Sequence, residues 1–214
     1  MNIHSLPTQE LSLGLLALGL PAEHHNLERL MGYLALLQKW NKTYNLTAIR
    51  DPDLMLTHHL LDSLSIVNPL LQTCPDVVSV LDVGSGAGLP GVVLAVMCPH
   101  LMVTCVDAVG KKVAFVNQVA LSLRLSNLKA VHSRVESMSG TFDLITSRAF
   151  SSLEDFVRCS MPLSHEQTKW LAMKAQVSDE ELKSVAGLTQ VFHVEPLSVP
   201  GMDATRCIVW MRTL

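Results

Sequence analysis

A valine-rich run from Val77 to Val83 ends in a turn with four glycines, within the stretch "VLDVGSGAGLPG" from Val80 to Gly91. A short continuous apolar run of this kind is typical of a strand that is covered on both faces. Glycine permits positive φ and lets another molecule approach the main chain closely. The N–H groups at the start of the following helix suit a negatively charged group. We therefore expect a ligand where this strand ends.

Strand-like and helix-like segments alternate after that turn. The strand-like segments are "LMVTCVD", "LKAVHS", "FDLITS" and "KWLAMK", and the helix-like ones are "PGVVLAVM", "KKVAFVNQVALSLRL" and "SLEDFVRCSM". This alternation predicts an α/β fold with a parallel, doubly wound sheet. The last two strand-like segments, "QVFHVEPLSV" and "TRCIVWM", are separated only by the turn region "PGMDA". They predict a closing antiparallel hairpin.

The first part of the chain has a different pattern. Between Ala22 and Thr43, leucines and a methionine recur at helical spacing, and a second helix should start at Asp51, an N-cap residue, with Pro52 in its first position. Residues 1–70 are therefore predicted to be an N-terminal helical extension, and residues 71–214 the main domain. The segment Pro69 to Asp76, with two prolines, is interpreted as the link between them.

Composition narrows the classes of protein further. The 214 residues are 49% hydrophobic and 16% charged, which is enough for a core and does not suggest disorder. No apolar run reaches the roughly 18 residues that span a bilayer, and the N-terminus lacks a basic signal-peptide region. Five cysteines without a CxxC pair suit reduced thiols. We therefore expect a soluble, unexported, cytoplasmic protein.

Charge and histidine content exclude two further possibilities. The net charge of −3 is not the bulk basic charge of a protein that coats nucleic acid, so any RNA contact must come from a local patch. The nine histidines include two adjacent pairs, but no second set of ligands stands at metal spacing. We expect no metal site.

The acid after the second strand strengthens the case for a ligand. Asp107 ends "LMVTCVD", where a carboxylate can accept both hydroxyls of a ribose. Two classes of ligand fit a glycine turn that is paired with an acid at the end of the second strand. Gly86-x-Gly88-x-x-Gly91 fits the dinucleotide fingerprint, but Pro90 places the helix start later than that fingerprint requires. "LDVGSGAG" is similar to the cofactor loop of S-adenosylmethionine-dependent methyltransferases.

Longer motifs carry a more specific resemblance. They are "LQKWNKTYNLTAIRDPDLMLTHHLLDSL", "DVGSGAGLPG", "SRVE", "SRAFSSL" and "MKAQ", in this order. Over nearly its whole length the chain resembles the ribosomal small subunit methyltransferase G family, also called glucose-inhibited division protein B. The resemblance implies a class I, Rossmann-like methyltransferase fold. It also implies methyl transfer from S-adenosylmethionine to N7 of a guanine in the 530 loop of 16S rRNA.

Site residues follow from both kinds of reasoning. The pairing of the glycine turn with the acid that ends the second strand assigns Gly86 and Asp107 to the cofactor. The resemblance implies that Gly84 and Leu89 line the cofactor, that Val135 and Glu136 meet its adenine, and that Arg148 lies beside it. The family usually has Lys-Gly after the fifth strand, whereas this chain has Lys174-Ala175. The cofactor-binding residues are thus predicted to be Gly84, Gly86, Leu89, Asp107, Val135, Glu136 and Arg148.

The RNA contacts are expected among lysines near the same turn. Lys111 and Lys112 follow Asp107 closely and should contact phosphate, and Lys174 is assigned to the substrate. Trp40 and Tyr44 lie among basic residues, where they either stack on RNA or anchor the core.

Some features keep two interpretations. Asp82 either orients the methionine amino group or holds the loop. His58 and His59 with Asp62 form either a catalytic pair, a pair on the surface of the helix, or a contact between the helices and the sheet. Because guanine N7 has a free lone pair, we predict no general base. Two alternatives to a methyltransferase stay open: an NAD-dependent oxidoreductase, and a non-enzymatic RNA-binding or assembly factor on the same fold.

Overall fold

A computed structural model describes residues 6–148 and 150–214 and contains the predicted sheet. The strands run in the order β3-β2-β1-β4-β5-β7-β6, with β1 to β5 parallel and β7 antiparallel to both of its neighbours. Their bounds are β1 Ser79–Val83, β2 Met102–Asp107, β3 Leu128–His132, β4 Leu144–Arg148, β5 Lys169–Lys174, β6 Thr189–Leu197 and β7 Arg206–Thr213. The predicted antiparallel hairpin is confirmed as β6–β7.

The helices cover both faces of this sheet. Their bounds are α1 Leu6–Ala17, α2 His24–Tyr44, α3 Pro52–Met55, α4 Asp62–Leu64, α5 Val67–Thr73, α6 Gly91–Met97, α7 Gly110–Ser122, α8 Leu153–Ser160 and α9 Asp179–Ser184. Short 3₁₀ helices span Val135–Ser137 and Met161–Leu163. No described helix is long and apolar enough to cross a membrane.

The helix that the sequence predicted to start at Asp51 is α3, and it starts at that place. The Asp51 carboxylate accepts a hydrogen bond from the Asp53 N–H at 2.9 Å, and Pro52 occupies the first helical position. The helix then widens into a π-helix from Leu56 to Leu61 before it returns to α geometry in α4. A π-helical turn is rare and often marks a functional region.

The predicted link between the two parts of the chain was partly wrong. Pro69 lies inside α5, as its third residue, and the chain leaves helical structure only at Cys74. Proline is tolerated there because the first N–H groups of a helix have no partner within the helix. The connection to β1 is therefore shorter than the prolines suggested.

Side chains of the sheet alternate between two hydrophobic cores. In β5, Leu171 and Met173 pack with the N-terminal helices, α6 and α7, while Trp170 and Ala172 pack with α8. Leu30 of α2 belongs to the same buried cluster as Val80 of β1, so the N-terminal helices share a core with the sheet. Residue 70 as a domain boundary stays a prediction.

Candidate active site

A cleft of about 750 Å³ opens at the carboxyl edge of the sheet. Strands β1 and β4 are neighbours there, and the helices that follow them cover opposite faces. Such a switch point leaves a crevice for ligands in doubly wound folds. The walls are the glycine turn, the N-terminal segments 46–49 and 58–62, and the residues that end β4, end β5 and begin β7. The volume lies within the range of small-molecule sites.

The glycine turn has a left-handed backbone that faces the cleft. Gly84, Gly86 and Gly88 have φ values of +65°, +59° and +82°. A Cβ on Gly84 would have only the Phe150 ring nearby, at 3.9 Å, and would otherwise enter open space. A Cβ on Gly88 would lie 2.7 Å from Val92 Cγ2. The first part of the turn therefore leaves room for a ligand, and the last part packs against its own helix.

Asp107 is bonded directly to this turn. Its Oδ2 accepts from the Gly86 N–H at 2.9 Å, and its Oδ1 accepts from the Val109 N–H at 2.9 Å. Lys112 Nζ lies 3.5 Å from the same carboxylate. Because each carboxylate oxygen has a further lone pair, Asp107 can hold the turn and still accept from a ribose hydroxyl.

Asp82 stands behind the turn and holds it in place. Its Oδ2 accepts from the Gly91 N–H at 2.8 Å, while its Oδ1 has no hydrogen-bond partner among the described residues. Burial raises the pKa of this carboxyl group to about 7. The side chain is fully buried and does not line the cleft, so the geometry favours the interpretation in which Asp82 supports the loop.

Tyr33 of α2 also holds the glycine turn, and no motif in the sequence pointed to this role. Its buried hydroxyl donates to the Ala87 carbonyl oxygen at 2.9 Å, and its ring packs 6.1 Å from that of Phe115. Burial raises the pKa of this hydroxyl well above its usual range, so it remains a donor. The N-terminal extension therefore helps to shape the turn.

Tyr33→Phe is expected to weaken binding of S-adenosylhomocysteine about threefold to tenfold and to lower Tm by a few degrees. The substitution removes one hydroxyl and leaves the Ala87 carbonyl unpaired, which costs about 1–3 kcal/mol of free energy. Part of this cost lowers the stability of the fold and part lowers the affinity for the cofactor. Calorimetry and thermal unfolding measure the two parts. Tyr44→Phe, on an exposed ring, is the matched control. Equal affinities for all three proteins would contradict the proposed support of the turn.

Two arginines from the sheet converge on Asp62. Arg148 Nη1 donates to Asp62 Oδ2 at 3.1 Å and to the His58 carbonyl at 3.0 Å, and Arg206 Nε donates to Asp62 Oδ1 at 3.0 Å. Asp62 is therefore engaged by arginines and not by His58. The arrangement is the contact between helices and sheet, rather than a catalytic His–Asp pair.

His59 is held neutral in the same wall of the cleft. Burial and the neighbouring Arg148 lower its pKa to about 4. Its Nε2 lies 2.8 Å from Thr47 Oγ1, and its Nδ1 lies 3.4 Å from Arg148 Nη2. A ring with this pKa does not titrate near neutral pH.

The structure brings six of the predicted site residues into the cleft wall. They are Gly84, Gly86, Leu89, Lys112, Arg148 and Lys174. Asp107 contacts this wall through its hydrogen bond with Gly86. Lys174 is paired with Glu181, with 2.6 Å between Nζ and Oε1. Lys111, Val135 and Glu136 do not line the cleft; Val135 packs into the second core and Glu136 is exposed. Their contacts with RNA or adenine stay predictions.

Several lining residues were missed from the sequence. They are Leu46, Thr47, Ile49, Phe150, Met173, Gln176 and Arg206. The motifs "NLTAI", "SRAF" and "MKAQ" contain six of them, so motif membership was the available signal. Trp40 packs 5.6 Å from Phe115, which favours its role in the core. Within residues 6–148 and 150–214, no group of three or more His, Cys, Asp or Glu side chains could hold a metal.

The fold is that of the class I S-adenosylmethionine-dependent methyltransferases. A structure of magnesium protoporphyrin IX methyltransferase from Synechocystis PCC 6803 has a TM-score of 0.63, with 12% identity over 85% of this chain and 97% of its own. TrmN from Thermus thermophilus has a TM-score of 0.58, with 15% identity over 74% of this chain and 53% of its own. At such low identities these likenesses concern the fold.

The sequence assigns the family. The profile described as rRNA small subunit methyltransferase G matches residues 26–209, and the chain belongs to that family. Proteins named ribosomal RNA small subunit methyltransferase G are similar to it over nearly the whole length. The one from Albidiferax ferrireducens is 53% identical over 95% of this chain and 96% of its own, and the one from Paracidovorax citrulli 52% over 94% and 88%. The oxidoreductase alternative is not supported.

Proposed function

We propose that this chain methylates N7 of a guanine in the 530 loop of 16S rRNA, in the small ribosomal subunit or its precursor, in the cytoplasm. The observation that carries the proposal is about 50% identity, over nearly the whole chain, to proteins named for methylation of small subunit rRNA. The intact glycine turn and its bonded Asp107 argue against the alternative of a non-enzymatic assembly factor.

The residues of the cleft fit S-adenosylmethionine. The Gly84 position opens into the cleft, and Asp107 keeps free lone pairs for ribose hydroxyls. When bound, this cofactor supplies a methyl group on a positively charged sulfur. Gly84, Gly86 and Leu89 would hold it against the carboxyl ends of β1 and β2.

Alignment, rather than proton transfer, is the work left to the protein. Guanine N7 has no proton to lose before it attacks. His59 is neutral, with its pKa near 4, and Asp62 is occupied by two arginines, so neither group is poised as a base. Holding the reactants in line and excluding water supplies about 7–11 kcal/mol in favourable cases.

Single-turnover rates at saturating RNA and cofactor are expected to vary less than about threefold between pH 6 and 9, since no lining group needs to lose a proton. Asp82 has a pKa near 7, but it accepts from the Gly91 N–H in either protonation state and lies outside the cleft. Rapid-quench assays across this range measure the profile. A tenfold rise through pH 6–7 that His58→Ala or His59→Ala abolishes would reveal a base.

A double charge reversal, Lys111→Glu with Lys112→Glu, is expected to weaken binding of the small subunit and to flatten its dependence on salt. Each phosphate contact that is lost reduces the slope of log K against log salt by about one. Filter-binding titrations of the variant and the wild type measure both quantities, with Lys183→Glu as an exposed control on α9. An unchanged slope would remove both lysines from the RNA interface.

The proposal is tested with purified protein, labelled S-adenosylmethionine and small subunits that lack this methyl group. One methyl group per subunit is expected on the guanine of the 530 loop. Label on another nucleotide or on a protein, or no label at all, would contradict the proposal.

A further inference from the structure

Thr47 lies in the N-terminal wall of the cleft at a position that the main chain fixes firmly. The buried Asn41 side chain accepts from the Thr47 N–H at 2.9 Å and donates to the Ile49 carbonyl at 3.1 Å. These two bonds tie the loop after α2 back to the helix. The hydroxyl of Thr47 is therefore held at a defined place in the cleft wall.

The contacts of His59 favour the tautomer that carries its proton on the nitrogen facing Thr47. An arginine side chain can only donate, so His59 Nδ1, which lies 3.4 Å from Arg148 Nη2, must accept. The neutral ring then has its hydrogen on Nε2. In this tautomer the Nε2–H donates to Thr47 Oγ1, which lies 2.8 Å away.

The main chain takes the second lone pair of the same oxygen. The Ile49 N–H donates to Thr47 Oγ1 at 3.2 Å. A hydroxyl oxygen has two lone pairs and one hydrogen, so Thr47 has only its hydrogen left to offer. With His59 in this tautomer, no described residue accepts that hydrogen, and the Thr47 side chain is partly exposed in the cleft. The structure thus presents a fixed hydrogen-bond donor to the cleft.

We propose that Thr47 donates a hydrogen bond to O6 of the target guanine and thereby selects guanine over adenine. The proposal rests on the proposed function. Beside N7, guanine presents the acceptor O6, whereas adenine presents an amino group that donates. N7 itself must face the methyl group. On this edge of the base, guanine and adenine can therefore be distinguished only by the group beside N7, which is O6 in guanine and an amino group in adenine.

The position of Thr47 in the cleft agrees with a contact to the base. The cofactor is assigned to the wall formed by Gly84 and Gly86, to which Asp107 is bonded. Thr47 comes from the N-terminal segment, a different wall of the same cleft, together with His59. A donor in that wall can reach the base without occupying the cofactor's place.

Thr47→Val removes the hydroxyl with little change in shape, and Thr43→Val makes the same change on an exposed residue of α2. Both variants and the wild type are assayed on reconstituted small subunits with guanine, inosine or 2-aminopurine at the target position. Inosine keeps O6, and 2-aminopurine lacks it. Comparing the enzymes on one base cancels the intrinsic reactivity of that base.

For Thr47→Val, the fall in kcat/KM is expected to be about tenfold larger on guanine and inosine than on 2-aminopurine, the effect of one lost hydrogen bond. Thr43→Val should stay within about twofold of the wild type on all three bases. Thr47→Ser keeps the hydroxyl, so any fall in its kcat/KM should be similar on the three bases, and no variant should lose affinity for S-adenosylhomocysteine. If Thr47→Val does not fold, Thr47→Ala gives the same comparison.

Two results would overturn the inference. The first is a kcat/KM of Thr47→Val that falls equally on all three bases or does not fall. Thr47 would then only support the loop, or have no role in the reaction. The second is an ¹⁵N spectrum that places the His59 proton on Nδ1, because Thr47 would then donate to His59. If the wild type fails to methylate guanine at this position, the proposed function itself is wrong.

Discussion

Gly84→Val is expected to reduce the affinity for S-adenosylhomocysteine by more than about 100-fold while the chain stays folded. The φ of +65° at this position costs a β-branched residue about 1–3 kcal/mol, and the added side chain projects into the cleft. The fold should persist because the nearest neighbour of the new Cβ, the Phe150 ring, is 3.9 Å away.

A matched glycine in an exposed loop separates the loss of binding from a general effect of valine. A Cβ added to Gly187 would have no described atom within 4 Å, and the residue has no positive φ, so Gly187→Val should bind like the wild type. Titration calorimetry and thermal unfolding compare the three proteins. Normal affinity of a folded Gly84→Val protein would show that this glycine is not at the cofactor.

Asp107→Ala is expected to weaken binding of S-adenosylhomocysteine by about 1.5–3 kcal/mol, which is roughly 10- to 150-fold. The substitution removes the proposed acceptor for the ribose. It also leaves the Gly86 and Val109 N–H groups, now 2.9 Å from the carboxylate oxygens, without their partner. Without these bonds the turn is less well fixed in the free protein, and ordering it when the cofactor binds lowers the affinity.

The control for Asp107→Ala is Asp76→Ala, an exposed carboxylate with no hydrogen bond in the described structure. Calorimetry on both variants, with a check of Tm, separates binding from folding. Unchanged affinity of Asp107→Ala would mean that the cofactor does not lie at the carboxyl end of β2.

The alternation of strands and helices and the glycine turn could be predicted because their signals are local. Valine-rich runs, glycine spacing and the Asp51–Pro52 helix start each depend on neighbours along the chain. Pro69 shows the limit of such signals. A proline is compatible with a link and with the first turn of a helix, and packing against the rest of the protein decides between them.

The supports of the site could not be predicted, because they join residues far apart in sequence. Tyr33 reaches Ala87, and Arg206 reaches Asp62 across most of the chain. In the sequence, Tyr33 is one more apolar position on α2, and Arg206 is one charge before a strand. The proposed donor role of Thr47 depends on the tautomer of His59, and Arg148 at the end of β4 favours the tautomer that this role requires. Such roles emerge only once the fold brings these groups together.

Mass mapping of 16S rRNA tests the central claim most directly. The rRNA is taken from cells without this gene, and from the same cells that carry either the wild type or Gly84→Val. We predict one methyl group on N7 of a guanine in the 530 loop with the wild type, and its absence in the other two strains. An identical methylation map in all three strains, or a difference at another nucleotide, would contradict the account.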